Sequence, residues 1–272
     1  MIKSFFEKRI FLKCGKKVIP FLRQIESMTF LSLYTFYWML IAPFKPKSKQ
    51  IDGKIVVNQM VFIGIKSVFI VMLVSCFMGM IIAMQMAYVL KKFDALLYTG
   101  SLVGVSFTRE LGPLLAAIVV AGRVGAAMTA ELGTMKVSEE IDALDVMGID
   151  PVRFLVAPRV IAILFMLPCL TIFADAVGIF GGFVISVCNL HLDPFLYIDK
   201  TFYALVQKDV FTGLAKSVFF ALIISIVGCY QGLTVEDGAE GVGKSTTKSV
   251  VLSIVLVILA DCFFTALFYF IF

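Results

Sequence analysis

Four stretches of this chain carry no charge at all: Ser67 to Leu90, Ile161 to Ala174, Ser217 to Val235 and Ser249 to Ala260. Nothing else constrains the fold as much. A helix needs about 20 apolar residues to cross the hydrocarbon core of a bilayer. Inside lipid every backbone N–H and C=O must find a partner within the protein, so only helices and closed barrels cross it. A barrel strand alternates lipid-facing and lumen-facing residues, and these runs do not alternate. The reading is an all-α integral membrane protein with five transmembrane helices. They are expected near residues 61–90, 111–133, 160–190, 211–233 and 249–272. Composition agrees: the chain is 60% hydrophobic and 16% charged, where a soluble domain is about 45–50% apolar and about 25% charged.

Charge sets the orientation. Twelve of the 24 Lys and Arg lie in the first 66 residues, and such a bias marks the cytoplasmic side. The N-terminus is therefore expected in the cytoplasm and, after five crossings, the C-terminus outside. The first 23 residues hold seven Lys or Arg and no long apolar core, so no cleavable signal peptide is expected. Anionic lipid headgroups account for the net charge of +5, and no nucleic-acid partner is expected. Residues 1–54 read as an N-terminal cytoplasmic and interfacial region, and 55–272 as one membrane domain. Ser27 to Phe44 is uncharged but has lysines on both sides. A span would strand one of those clusters outside. Tyr34, Tyr37 and Trp38 suit an interface, so this segment reads as an interfacial or re-entrant helix. The six cysteines show no C-x-x-C spacing and read as small membrane-core residues. His191, the single histidine, has no evident partner. No metal site and no catalytic group is expected.

Two segments ask for partners. In the second span Ala117, Ala121 and Gly125 recur four apart, beside a second row through Gly122 and Ala126. Such rows let helix backbones approach closely in lipid, within a subunit or across a dimer. The third apolar run, Val160 to Leu190, would be about 46 Å long as a straight helix. Against a core of about 30 Å it is expected to tilt, to project, or to break near Pro168 or Gly178–Gly182. Between these spans lies a short cytoplasmic stretch. Ser138 suits an N-cap, with Glu139 and Glu140 in the first turn, where the helix dipole favours anions. Gly148 suits the stop. Ile141, Leu144 and Met147 form an apolar stripe flanked by Glu139, Asp142 and Asp145. An acidic flank disfavours lying on an anionic leaflet, so the stripe is expected to meet another protein.

The segment GAEGVGKST, from Gly238, matches a phosphate-binding loop at Gly238, Gly243, Lys244 and Ser245. Such a loop works by joining a buried strand to a helix within an α/β sheet. Here a membrane span precedes it, and no soluble sheet is available. The match reads as a connecting loop.

The block SFTRELGPLLAAIVVAGRVGAAMTAELGTMKVSEEIDALDVMGIDPVRFLVAPR, Ser106 to Arg159, closely resembles the MlaE/YrbE family of permease subunits. GAEGVGKSTTKSVV and LADCFFTALFYF resemble that family's last loop and C-terminus. The family has Arg commonly at the position of Lys244. The resemblance covers roughly residues 55 to 272. It implies the permease of an ABC transporter that moves phospholipid or a related lipid, in a bacterial inner membrane, with the C-terminus periplasmic. It implies a homodimer, a separate cytoplasmic ATPase and a periplasmic MCE-domain protein. A small cytosolic accessory subunit is a further candidate partner. This chain would hold no cofactor, since ATP and magnesium belong to the ATPase. The ATPase would dock on Ser138, Glu139, Glu140, Ile141, Asp142, Leu144, Asp145 and Met147. Arg109, Glu110 and Asp261 would lie at the lipid site, with Arg109 toward a phosphate. Asp261 is expected to pair with Arg109 or Arg123 or to face the cavity, Asp175 to pair with Arg123, and Glu131 to orient the cytoplasmic stretch. Two rival readings are an ion-coupled transporter using Asp175 and Asp261, and a membrane ATPase using Gly238 to Ser245. The first needs no ATPase partner. The second needs bound nucleotide.

Overall fold

In the computed structural model, residues 24–39, 53–236 and 238–271 are described. The expected segment from Ser27 to Phe44 falls partly outside them, as do most of residues 1–54. All described elements are helical. We number them α1 (24–39), α2 (Gly53–Leu90), α3 (Leu96–Val137), α4 (Glu140–Val146), α5 (Val152–Cys188), α6 (Pro194–Ala204), α7 (Gln207–Leu233) and α8 (Gly238–Ile271). Five of them, α2, α3, α5, α7 and α8, are long and apolar enough to cross a membrane. The protein is an all-α membrane protein with five such helices.

The helices begin earlier than hydropathy suggests. Helix α2 runs for 38 residues, about 57 Å by helical rise, so its polar first turns extend past the lipid. The loop expected between the third and fourth spans is largely α6. Its start is capped by Asp193, whose carboxylate accepts from the Leu196 amide at 3.0 Å.

Helix α3 is not a uniform α-helix. It widens into π-turns at Phe107–Leu111 and Ala121–Gly125. The first has a covalent cause. Pro113 lacks an N–H, so the carbonyl of Arg109 loses its α-helical donor, and the Gly112 amide bonds back to Phe107 instead. The same arrangement opens α5, where Pro158 follows the π-turn Val152–Val156. π-Turns re-aim side chains and cluster at functional sites. Here they carry Arg109, Glu110, Arg123 and Arg153.

Helix α5 does not break. Pro168 sits inside a continuous helix from Ala157 to Cys188. The glycines at 178–182 mark a close approach, since α2 and α5 form the most extensive helix pair. A Cβ at Gly79 would lie 1.9 Å from the Gly178 carbonyl oxygen, and one at Gly181 2.3 Å from that of Cys76. Backbone cannot yield as a side chain does. Gly79→Val is expected to cost about 1–3 kcal/mol through overpacking, read as a lower melting temperature of the detergent-solubilised protein.

Helix α7 packs between α3 and α8. The Thr129 hydroxyl lies within reach of the carbonyls of Gly125 (2.9 Å) and Gly228 (3.0 Å) and of the Ser249 hydroxyl (2.8 Å), tying the three helices. Of the two small-residue rows, Ala117, Ala121 and Gly125 are buried in this packing. Gly122 is exposed with open space beside it, and Ala126 is half-buried. Helix α8 is the least covered, with 11% of its most apolar window buried, so its outer face is left to lipid or to another protein.

Helix α1 presents Phe30 and Leu33 outward while Leu31, Thr35 and Trp38 are buried. Its end is anchored to the corner before α5. The Tyr34 hydroxyl and the Trp38 indole N–H both donate to the Asp150 carboxylate, and the Arg153 guanidinium lies over the Trp38 ring at 5.4 Å. Hydrogen bonding to Asp150 holds the Tyr34 hydroxyl above the ordinary tyrosine range.

Candidate functional site

The deepest charge in the bundle is Lys216 of α7, with 2% of its side chain exposed. An isolated ammonium cannot stay charged at such a place without partners. It has three N–H donors, and all three are used. Glu110 of α3 accepts one at 2.5 Å, Asp261 of α8 another at 2.9 Å, and the Thr265 hydroxyl the third at 2.8 Å. Thr265 in turn donates to the Asp261 carbonyl at 2.8 Å and lies 3.1 Å from both Glu110 carboxylate oxygens. Three helices therefore meet at one ammonium. Counted from the helix ends on this side, all three charged residues lie about 14 to 21 Å in by helical rise, deep in the apolar layer.

The cluster is closed at its base and open at its top. Glu110 is 36% exposed and Arg109 43%. Arg109 does not join Lys216. It sits 3.6 Å from Asp209, near the start of α7, which leaves most of its donors available. With every group ionised, Lys216, Glu110 and Asp261 carry a net charge of minus one. A proton, a cation or the cationic part of a ligand would balance it.

These positions correct several expectations. Asp261 pairs with Lys216, not with Arg109 or Arg123. Arg123 donates to Ser67 at 2.6 Å and stacks over Phe62 at 5.8 Å, so it makes no pair with Asp175. One carboxylate oxygen of Asp175 is buried without a hydrogen-bond partner among the described residues, beside Gly112, where a Cβ would strike it. Glu131 binds Arg159, at the start of α5, at 2.9 Å. That ion pair ties α3 to the first turns of α5, and within α5 Arg159 also donates to the Leu155 carbonyl at 2.7 Å. Lys216 is the residue that sequence reasoning passed over. The uncharged run from Ser217 starts one residue after it. A lysine inside a span was the signal, because intramembrane charges are rare and usually functional.

At the opposite end of the bundle, α4 is shorter than expected and differently capped. Glu139, in a left-handed conformation at φ 60°, precedes the helix without a side-chain cap. Ser138 instead donates to the Thr134 carbonyl at 2.8 Å and approaches Glu140 at 3.1 Å. Gly148 ends the turn at φ 73°. The expected apolar stripe divides. Ile141 is buried in the chain's own core and Leu144 packs partly against it, while Met147 is 64% and Val146 89% exposed. Asp142 is held by Lys136 at 2.7 Å. Glu139, Glu140 and Asp145 are exposed. The outward surface is thus Val146 and Met147 within an acidic rim.

GAEGVGKST is not a loop. Gly238, at φ 65°, opens α8, and the following residues are its first turns. Among the described residues no strand precedes it, so the amide cradle of a phosphate loop is not formed. Lys244 pairs with Glu240 on the surface at 2.7 Å.

Comparison with known proteins supplies the context. A family model described as Permease MlaE matches residues 56–267. A probable ABC transporter permease protein of Rickettsia felis is 37% identical over 94% of this chain and 96% of its own length. One from Synechocystis is 41% identical over 79% of this chain and 81% of its own length. A chloroplast protein of Arabidopsis thaliana, named trigalactosyldiacylglycerol 1, is 38% identical over 76% of this chain and 59% of its own length.

Proposed function

The chain belongs to the MlaE permease family and is a multi-pass ABC transporter permease, and from that premise we propose that it moves phospholipid or a related lipid. A separate cytoplasmic ATPase binds ATP and magnesium and supplies the energy, and this chain is non-catalytic. Two copies form the membrane unit, a periplasmic MCE-domain protein receives or delivers lipid, and a small cytosolic subunit assists. The unit sits in a bacterial inner membrane, with α4 cytoplasmic and the C-terminus periplasmic.

The observation that carries this reading is the buried Lys216–Glu110–Asp261 cluster beneath a half-exposed Arg109. A polar headgroup entering an apolar bundle needs charge-assisted partners that are already held in position. Arg109 offers donors to a phosphate, and the surplus negative charge suits an ammonium. The exposed Leu259, Phe263 and Tyr269 of α8, toward its end, support a second copy enclosing the site, and the name of the Arabidopsis relative contains a glycerolipid. Val146 and Met147 at the far end suit a soluble partner, because an apolar pair in an acidic rim fits a protein groove better than an anionic leaflet. ATP-driven movement of the ATPase would act on α4, and Ile141 would pass that motion into the bundle core.

Native mass spectrometry of the chain, gently extracted from its own cells, tests the reading. Two copies with two ATPase copies and bound phospholipid are the expected result. A lone chain with bound nucleotide would overturn it.

A further inference from the structure

The first turns of α8, unused by the transport reading, form one wall of a groove of about 860 Å³. Lys244, Lys248, Val251 and Val255 lie along one stripe of α8, and Ile25 and Met28 of α1 face them. The spacing of 4, 7 and 11 residues from Lys244 is one helix face. Its chemistry is graded, with two ammonium groups at the α8 start and aliphatic walls beyond.

We propose that this groove binds one anionic glycerophospholipid from the leaflet on the α4 side, separately from the Lys216 cluster. The proposal rests on the permease reading for the side of the membrane and deepens it by adding a second lipid site. Four observations select the occupant. First, the groove lies at the same end of the bundle as α4, because Val235 and Val242 pack at Gly133 near the end of α3. Second, its length matches one leaflet. Lys244 to Leu256 spans about 18 Å by helical rise, and half of a core of about 30 Å is about 15 Å. Third, the charge is complementary to a phosphate. Lys248 makes no ion pair among the described residues, and the Lys244 pair with Glu240 is fully on the surface, with both side chains more than 70% exposed. Such a pair is easily exchanged for a phosphate. Fourth, like charge disfavours the rival occupants. The chain's own first 23 residues carry seven Lys or Arg. An isologous contact with a second copy would bring two sets of Lys244 and Lys248 together.

The groove's walls come from different places in the chain. The far end of α1 is fixed at Asp150, close to α4, while Ile25 and Met28 form the wall against α8. A lipid held here would bridge α1 to α8, the helix that also carries Asp261. It would therefore sit between the segment facing the ATPase and the segment holding the cluster.

The test uses the full chain, delipidated in detergent and titrated with palmitoyl-oleoyl phosphatidylglycerol or the matching phosphatidylcholine, with bound lipid counted by native mass spectrometry. Wild type is expected to retain phosphatidylglycerol over phosphatidylcholine. The Lys244→Gln/Lys248→Gln variant should lose that preference by on the order of tenfold. Val255→Trp, which fills the groove and leaves both lysines, should lower binding of this lipid as well. Equal binding of both lipids by wild type, or unchanged affinity in both variants, overturns the proposal. So does Thr247→Cys forming a disulfide between copies in high yield, which would make the groove a subunit contact. The transport reading fails separately, if the reconstituted wild-type complex moves no lipid on addition of ATP while groove binding persists.

Discussion

Lys216→Met will destabilise the protein by about 3 kcal/mol and abolish lipid transfer. The substitution keeps the length of the side chain and removes only the ammonium. Glu110 and Asp261 are then left as two carboxylates on facing helices, deep in the apolar layer, without their shared counterion. Removing one partner of a buried pair costs about 3–5 kcal/mol. The lower figure applies because Glu110 is 36% exposed and partly solvated. Thermal unfolding in detergent measures the loss. The triple variant Lys216→Met/Glu110→Gln/Asp261→Asn removes every charge, and its stability should return close to wild type. Lipid transfer should not return with it, because the headgroup partners are gone. A Lys216→Met protein that melts like wild type would show that the three charges are not energetically linked.

Val146→Asp will detach the ATPase and leave the permease folded. Val146 is 89% exposed and is absent from the chain's own core, so its replacement should change stability by no more than about 0.5 kcal/mol. Placing a carboxylate at the centre of an apolar contact should weaken ATPase binding by at least about tenfold, in the range of an interface hot spot. Copurification of the ATPase with the variant reads the effect. Undiminished copurification would exclude this face as the dock. Leu144→Asp is the instructive contrast. Leu144 packs against the chain's own core, so that variant confounds docking with folding and should lower the melting temperature as well.

How much of this was legible beforehand follows from what kind of information each feature needs. Membrane spans are a property of consecutive residues, and four uncharged runs with the small-residue span around Arg123 gave five helices directly. Their ends were not legible. Helix α2 starts at Gly53 and α8 at Gly238 because a helix continues through polar residues once it leaves the lipid, whereas hydropathy stops at the interface. The GAEGVGKST motif matched a loop pattern by residue type. Its conformation was set by continuity with the apolar helix that follows. Gly178–Gly182 looked like a hinge in isolation and is a contact surface, since only the approach of α2 gives those glycines their purpose.

The charged site divides in the same way. Arg109, Glu110 and Asp261 stood out because charge within an apolar run is costly, a fact that each position announces alone. Their pairing did not. Lys216 lies 106 residues from Glu110 and 45 from Asp261, and which charges meet depends on how α7 is rotated between α3 and α8. The apolar stripe of α4 shows the limit from the other direction. A period of three identifies one face, yet Ile141 turned inward and Met147 outward because the end of α3 already covered part of that face. Sequence by itself determined that the chain lives in lipid as five helices, since the bilayer acts on each segment separately. Tertiary structure decided which charges neutralise one another and which apolar residues stay exposed, since both are properties of neighbours far apart along the chain.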